Sequence, residues 1–363
     1  MSDLAPQQHI ALAPLCTLGV GGSARWFLRA DGGPAARAAL AWCADRGVEA
    51  LILGGGSNLV IADAGWPGLV LQLAPRGLRF EAAGSAMRMT AAAGEPWDAV
   101  VEAAVARGLG GLECLSGIPG CVGGTPIQNV GAYGQEVAEV IEQVTVLDRR
   151  DLTTRCIAAA DCGFGYRQSR FKREDAGRFV VLEVAFLLAP GAAPKLAYPD
   201  LVAELQDTAQ PTLAAARAAV LAVRRRKGMV LDAEDPDTRS AGSFFMNPVV
   251  SAAAHAGLRD ERGAAAPAFA AGPGQVKVPA AWLIERAGFA KGHARGAVGL
   301  STKHPLAIVN RGGATAREVI SFARAIQRAV ADRFGIALRA EPEFVGFGAD
   351  DASHAEVGAL RGG

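Results

Sequence analysis

The chain has 363 residues, half of them hydrophobic and 45 of them glycine, which is enough for two or three domains with separate cores. Its formal net charge is only +1, so no basic field recruits nucleic acid or an anionic membrane surface, and local clusters must supply any anion binding. No apolar run approaches the roughly 20 residues that span a bilayer, and residues 1–14 lack the charged, apolar and small-residue succession of a signal peptide, so a cytoplasmic location is expected.

Thr17-Leu18-Gly19-Val20-Gly21-Gly22 opens a G-x-G-x-x-A string that ends at Ala24. A dinucleotide fold needs a strand before such a string and a helix after it. Pro14 lies just upstream and Ala24-Arg25-Trp26-Phe27-Leu28 reads as extended, so the Rossmann reading is rejected. Residues 34–46 predict a helix, with Pro34 in its first turn and Gly47 as its stop. Residues 48–53 read as a buried strand running into Gly54-Gly55-Gly56-Ser57-Asn58-Leu59. No Gly-Lys-Ser/Thr follows, and Leu59-Val60-Ile61 resumes as strand, which rules out a P-loop. The device is strand, glycine turn, strand: either its donors face a phosphate or it is a plain hairpin with a wide loop.

Short β runs over residues 68–90 and a helix over 97–107 lead to residues 110–134, which hold eight glycines and two prolines. That is too many breakers for a regular helix or central strand, yet Ile118, Val122, Ile127 and Val130 recur as if buried. Glycine lets backbone N–H groups approach a ligand closely, and successive turns aim them into one concavity that suits a pyrophosphate. Tight turns packed for their own sake are the alternative. Residues 140–146 and 179–188 read as strands, and 212–227 as a helix whose Arg224-Arg225-Arg226-Lys227 suits the negative end of its dipole. The acidic residues 232–238 suggest a linker and a boundary near residue 230. Beyond it come a short helix at 280–287 and a capping box of Thr315 and Glu318 for a helix that runs to about Phe334. Residues 336–344 read as a last strand, and those from Gly348 onward as a loose tail. The six cysteines form no C-x-x-C pair and the five histidines are scattered, so no metal site is expected and the thiols read as reduced and mostly buried.

Five motifs stand in one order along residues 17–345: Gly54-Gly55-Gly56-Ser57-Asn58; Gly117-Ile118-Pro119-Gly120 with Gly123-Gly124, Asn129 and Gly131-Ala132-Tyr133-Gly134; Tyr166-Arg167 with Ser169 and Phe171; Gly242-Ser243-Phe244-Phe245 with Asn247-Pro248; and Glu341-Pro342-Glu343. Together they closely resemble the UDP-N-acetylenolpyruvoylglucosamine reductases, flavoenzymes of peptidoglycan precursor synthesis. The resemblance implies an α+β fold, a two-part FAD-binding module of the vanillyl-alcohol-oxidase/PCMH type plus a third α+β domain that closes over a nucleotide-sugar. The expected division is 1–75 and 76–228 for the two FAD-binding parts, 229–335 for the substrate-binding domain, 336–347 for a C-terminal strand returning to the site, and 348–363 for the tail. Non-covalent FAD would lie against Gly54, Gly55, Gly56, Ser57, Asn58, Leu59, Ser116, Gly117, Ile118, Pro119, Gly120, Gly123, Gly124, Asn129, Gly131, Ala132, Tyr133 and Gly134. NADPH would be the reductant, UDP-N-acetylglucosamine enolpyruvate the substrate, and the protein a monomer.

Tyr198-Pro199-Asp200 looks like the family's longer form, in which a tyrosine loop folds over the substrate. Carried over, Tyr198 would contact the nucleotide end, Lys227 the diphosphate, with Asn247 also on the substrate, and Tyr166 would line the same site. His304 stands where another branch has glutamine, and Met246 where lysine is frequent. The implied chemistry reduces an enol ether conjugated to a carboxylate, which leaves the protein to stabilise an enolate-like charge and deliver a proton. Arg167 fits the cation, since its planar fork binds a carboxylate through two charge-assisted bonds. Glu343 shares the charge if it carries a proton. Ser243 is the candidate proton donor; a free serine is a poor acid, so it would need a neighbouring cation or a water relay, with Lys227 or a backbone donor supplying the bias. Each has a plainer reading: a surface ion pair for Arg167, a turn cap for Ser243, a solvated edge carboxylate for Glu341 or Glu343, and core for Phe244 and Phe245. An alcohol or sugar oxidase on the same flavin architecture competes. Such enzymes often tether flavin through histidine or cysteine, and Cys121, but no histidine, lies in the glycine motifs. A binding sensor without turnover is the third reading.

Overall fold

A computed structural model describes residues 5–260 and 263–362. Residues 1–4, 261–262 and 363, which open the first expected subdomain, interrupt the third and end the expected tail, lie outside the described residues. The chain divides into two compact units, the first of residues 1–10, 24–56 and 67–230, the second of 11–23, 57–66 and 231–363.

The first unit holds two larger sheets and a two-stranded ribbon of Gly131–Ala132 with Gln135–Glu136. One runs in the order Gln7–Ala11, Ser23–Ala30, Trp66–Leu73, Ala50–Leu53, the last two parallel with Ala50 opposite Leu69. Helix α1 (Gly33–Arg46) turns Ala36, Ala39, Leu40 and Cys43 inward, into one cluster with Leu69 and Leu71, and stops at Gly47 in the left-handed region. The second sheet runs Thr154–Ala158, Ile141–Asp148, Phe179–Pro190, Ala86–Ala92, Leu78–Ala83, antiparallel throughout. Helix α2 (Trp97–Ala106) buries Trp97, Val100, Val101 and Ala104 in the core of this sheet. Two further helices close the unit: α3 (Pro199–Glu204) and α4 (Leu213–Arg226), the latter capped by the Thr212 hydroxyl, which accepts from Ala215 N–H. Within residues 110–134, Val122 and Val130 are buried as expected, but Ile127 is 38 % exposed: with its carbonyl holding the Ser169 hydroxyl, its side chain is left on the outside.

In the second unit an antiparallel sheet runs Ser240–Ser243, Ala307–Asn310, Val298–Leu300, Ala294–Arg295, beside a small sheet of Val249–Ser251, Gln275–Lys277 and Phe269–Ala270. Its helices are α5 (Ala252–Ala256), α6 (Ala280–Arg286), α7 (Ala316–Phe334) and α8 (His354–Arg361). The capping box of α7 forms as expected, with Thr315 and Glu318 satisfying each other's backbone. Its strongly one-sided apolar face, Val319, Ile320, Phe322, Ala323, Ile326 and Val330, is the centre of the core.

Two early segments belong to this unit, which a linear division of the chain does not provide. Leu59–Ile61 pairs in parallel with Glu343–Val345, and the Asp63 carboxylate accepts from Ala316 N–H at 2.7 Å and Arg317 N–H at 3.1 Å, the free donors that open α7. Thr17 donates its hydroxyl to Ser240 O, and Asn310 Nδ2 donates to the Leu18 and Gly19 carbonyls. The hairpin reading of the first glycine motif therefore fails, because the strands on its two sides pair with different partners. Thr17–Gly22 is followed by a strand, in keeping with the rejected Rossmann fingerprint.

Three expectations are corrected here. The boundary expected near residue 230 falls between Val230 and Leu231, but residues 232–238 are bonded into the second unit and do not run as a linker: Thr238 bonds to Asp232 O and Asp235 O, Asp235 pairs with Lys303, and buried Asp237 holds Thr302. The strand expected over 336–344 shrinks to Glu343–Val345, since residues 338–340 spend their groups on Gln327, Phe245 and Met246. The tail is not loose, because α8 buries Val357 and Leu360 against the α7 core.

Candidate active site

In the first unit the two glycine motifs meet. A Cβ on Gly55 would lie 2.7 Å from Gly120 Cα and 3.0 Å from its carbonyl carbon, so the backbones touch where any side chain would hold them apart. Gly117, at φ +71°, turns its N–H onto Asp98 Oδ1 at 2.6 Å. Arg217, on α4, grips the same carboxylate through two bonds of 2.6 and 2.9 Å. Burial raises the Asp98 pKa, but the Arg217 fork and the Gly117 N–H outweigh it and hold the carboxyl below its ordinary range. The N–H groups of Gly117, Gly123 and Gly124 are spent on Asp98, Ala93 and Cys121, and the Ser116 hydroxyl on Glu113 O. These four residues shape the loop and do not offer those donors to an anion.

Arg224, one turn before Lys227 on α4, is the residue that the sequence reading missed, giving it only the role of complementing the helix dipole. Its guanidinium is buried, bonded to Met229 O at 2.6 Å and to the Tyr133 hydroxyl, and its Nε finds no acceptor among the described residues. That Nε lies 3.4 Å from where a Gly117 side chain would begin. Burial pulls its pKa down from the usual guanidinium range, with Tyr133 and Asp98 opposing. A run of Arg-Arg-Arg-Lys at a helix end reads as dipole complement; only the helical phase, which buries Val220, Val223 and Arg224 together, singles out one of the three.

Around Tyr133 a polar patch assembles. Asn129, buried, donates to Glu136 and to Gly165 O and accepts from Ala138 N–H, which ties the glycine loop to the turn that carries Tyr166 and Arg167. Arg167 Nη2 donates to Gly131 O at 2.9 Å. Asn129, Tyr133 and Arg167 all have positive φ, +46°, +50° and +55°, a conformation costing about 1–3 kcal/mol each for a side chain that must be held by its surroundings. Tyr198 stands edge-on to Tyr133 with ring centres 5.3 Å apart, and Lys227 Nζ lies 5.9 and 6.0 Å from the two rings. Thus Tyr166, Arg167, Tyr133, Tyr198 and Lys227 are linked within one unit.

The second unit joins the other candidates. Asn58 accepts from Glu343 N–H at 2.9 Å and donates to Glu341 O at 3.3 Å, while Glu341 N–H donates to Phe244 O. Ser243, half-buried, therefore lies on the strand joined to the exposed Glu343 segment. His304 sits in the turn before the strand that pairs with Ser243; its Nδ1 accepts from Leu306 N–H, and Leu306 O accepts from Phe244 N–H. Asn247 Oδ1 accepts from Ala280 N–H at the start of α6. Phe244 and Phe245 are core, as their plainer reading has it. Among the described residues no cluster of His, Cys, Asp and Glu could hold a metal ion.

The FAD binding domain family matches residues 33–156, and the UDP-N-acetylenolpyruvoylglucosamine reductase C-terminal domain family matches residues 235–345. The UDP-N-acetylenolpyruvoylglucosamine reductase of Saccharopolyspora erythraea is 48 % identical over 94 % of this chain and 96 % of its own, and that of Thermobifida fusca is 46 % identical over 93 % and 98 %. Among solved structures, that of the Thermus caldophilus enzyme superposes with a TM-score of 0.63 at 25 % identity, covering 94 % of this chain and all of that one. With its α+β fold, its paired glycine motifs and relatives near half identity along almost the whole length, the chain belongs to the UDP-N-acetylenolpyruvoylglucosamine reductase family.

Proposed function

We propose that the protein is an NADPH-dependent flavoenzyme that reduces UDP-N-acetylglucosamine enolpyruvate to UDP-N-acetylmuramate. Membership of the family supports the activity, and the observation that carries the cofactor is the buried Arg224 Nε beside Gly117, with no acceptor among the described residues, in the glycine stretch that meets Gly55 at Gly120. A buried cation with an unspent donor costs free energy unless a ligand uses it. A flavin dinucleotide, with carbonyl and phosphate oxygens, is a fitting acceptor. Gly54 to Gly56, Ile118 to Gly120 and the stretch from Asn129 to Gly134 would hold it, with Ser57, Asn58 and Leu59 continuing the first motif. Bound FAD supplies the acceptance of hydride from NADPH and its delivery to the substrate.

The chain's own residues do the rest. Arg167 binds the substrate carboxylate through its fork and keeps its charge throughout. Its positive φ and its bond to Gly131 O fix where the fork points. Glu343 shares the charge that develops on that carboxylate by hydrogen bonding, and Ser243 Oγ delivers the proton. Tyr166, Tyr198, Lys227, Asn247 and His304 hold the nucleotide-sugar, Lys227 on its diphosphate. The same reading places the enzyme in the cytoplasm as a monomer, a compartment that suits six cysteines without a disulfide.

The test separates the two half-reactions. Ser243→Ala keeps near-normal flavin reduction by NADPH and slows oxidation of the reduced flavin by substrate, and Arg167→Lys fails in the same second step. Equal loss in both half-reactions argues against Ser243, and unchanged single-turnover oxidation in Arg167→Lys removes Arg167 from the site.

A further inference from the structure

The segment carrying Tyr198 is held to the first unit at several points. Buried Glu113 accepts from Lys195 N–H at 2.9 Å, Lys195 Nζ pairs with Glu139, Leu201 is fully buried against Val220 and Val223 of α4, and Glu204 pairs with Arg226 at 2.5 Å. One further contact differs in kind. Asp200 Oδ2 takes Lys227 Nζ at 2.5 Å, both side chains being partly exposed. Lys227 is the C-cap of α4, and its ammonium stands 5.9 and 6.0 Å from the ring centres of Tyr133 and Tyr198. The other anchors would hold the segment without it, so the Asp200 contact is not needed to dock Tyr198.

We propose that Asp200 is an intramolecular competitor for Lys227 and sets the affinity with which the site takes a diphosphate. This rests on Lys227 as the diphosphate contact. A single carboxylate and a diphosphate are both oxygen anions that an ammonium binds as a point charge, so the charge and donor that Lys227 commits to Asp200 are withheld from a diphosphate. Binding of a nucleoside diphosphate then exchanges one ion pair for another. A dianionic or trianionic diphosphate gains more from Lys227 than a monoanionic carboxylate does, whereas a neutral nucleoside gains nothing and leaves the pair intact. Asp200 thereby biases the site toward ligands that carry the diphosphate.

The test uses the FAD-loaded full-length enzyme with UDP and uridine as probes, read by the perturbation of the flavin spectrum and by competition against substrate. Because a partly exposed pair is a weak one, Asp200→Asn tightens UDP about two- to fivefold at low ionic strength. It leaves uridine unchanged and lowers KM more than it changes kcat. Lys227→Met weakens UDP, and in that background Asp200→Asn has no effect on UDP, since the competition needs the lysine. Weaker UDP binding in Asp200→Asn, or an equal change with and without Lys227, makes Asp200 a merely structural anchor and overturns the proposal while Lys227 keeps its role. Unchanged UDP affinity in Lys227→Met removes Lys227 from the diphosphate and refutes both.

Discussion

The close approach of the two glycine motifs is testable by adding one carbon. In Gly55→Ala the new Cβ would stand 2.7 Å from Gly120 Cα, 3.0 Å from its carbonyl carbon and 3.3 Å from Cys121 N, all backbone atoms that no rotamer change can move. Relief requires one loop to shift, and Gly120 is anchored because its carbonyl accepts from Trp97 N–H, where α2 starts with its buried indole. Overpacking of this kind costs about 1–3 kcal/mol. Gly54→Ala is the control, since a Cβ there meets nothing within 4 Å and the backbone is not left-handed. It reduces the freedom of the unfolded chain and is expected to stabilise by about 0.4–1 kcal/mol. Urea unfolding of the flavin-free proteins, followed by circular dichroism, should therefore place Gly55→Ala below wild type and Gly54→Ala level with or above it. Titration with FAD then shows whether the shifted loop also loses cofactor. If Gly55→Ala unfolds at the wild-type midpoint, the two backbones do not touch and the cradle does not exist as described.

Arg224→Met should weaken FAD binding about tenfold or more while changing flavin-free stability by less than about 1 kcal/mol, because the lost bonds are offset by the released cost of burying a cation; unchanged FAD affinity refutes its role. Asp98→Asn should loosen the Gly117 turn and lower FAD retention. The folded carboxyl lies below its ordinary pKa, so the stability it contributes is fully present above about pH 4 and is lost as pH falls through the depressed value. The gap between wild type and Asp98→Asn in thermal unfolding should thus be constant near neutrality and narrow as pH falls below about 4, and a gap that does not narrow anywhere in acid would exclude the linkage. Leu360→Ala should cost about 2–5 kcal/mol, since Leu360 is fully buried in the second core; an unshifted urea midpoint would mean that α8 is dispensable.

The sequence read alone determined those features whose causes are local. Pro34 and Gly47 bracket α1, Thr315 and Glu318 start α7, and a glycine motif that lacks Gly-Lys-Ser/Thr cannot be a P-loop, all from interactions spanning a few residues. Motif order along the chain was enough to name the family and to nominate Arg167, Ser243 and Glu343. Tertiary structure alone decided which partners distant segments take. Leu59–Ile61 leaves its neighbour and pairs with Glu343–Val345, Asp237 is buried where composition suggested a linker, and α8 takes a place in the core through Val357 and Leu360. It also decided that, of four consecutive basic residues, Arg224 is buried beside Gly117 while Lys227 faces Asp200. Caps and periodicity act within one turn of chain, whereas burial and ion pairing depend on groups brought together from tens to hundreds of residues away, and no local pattern encodes them.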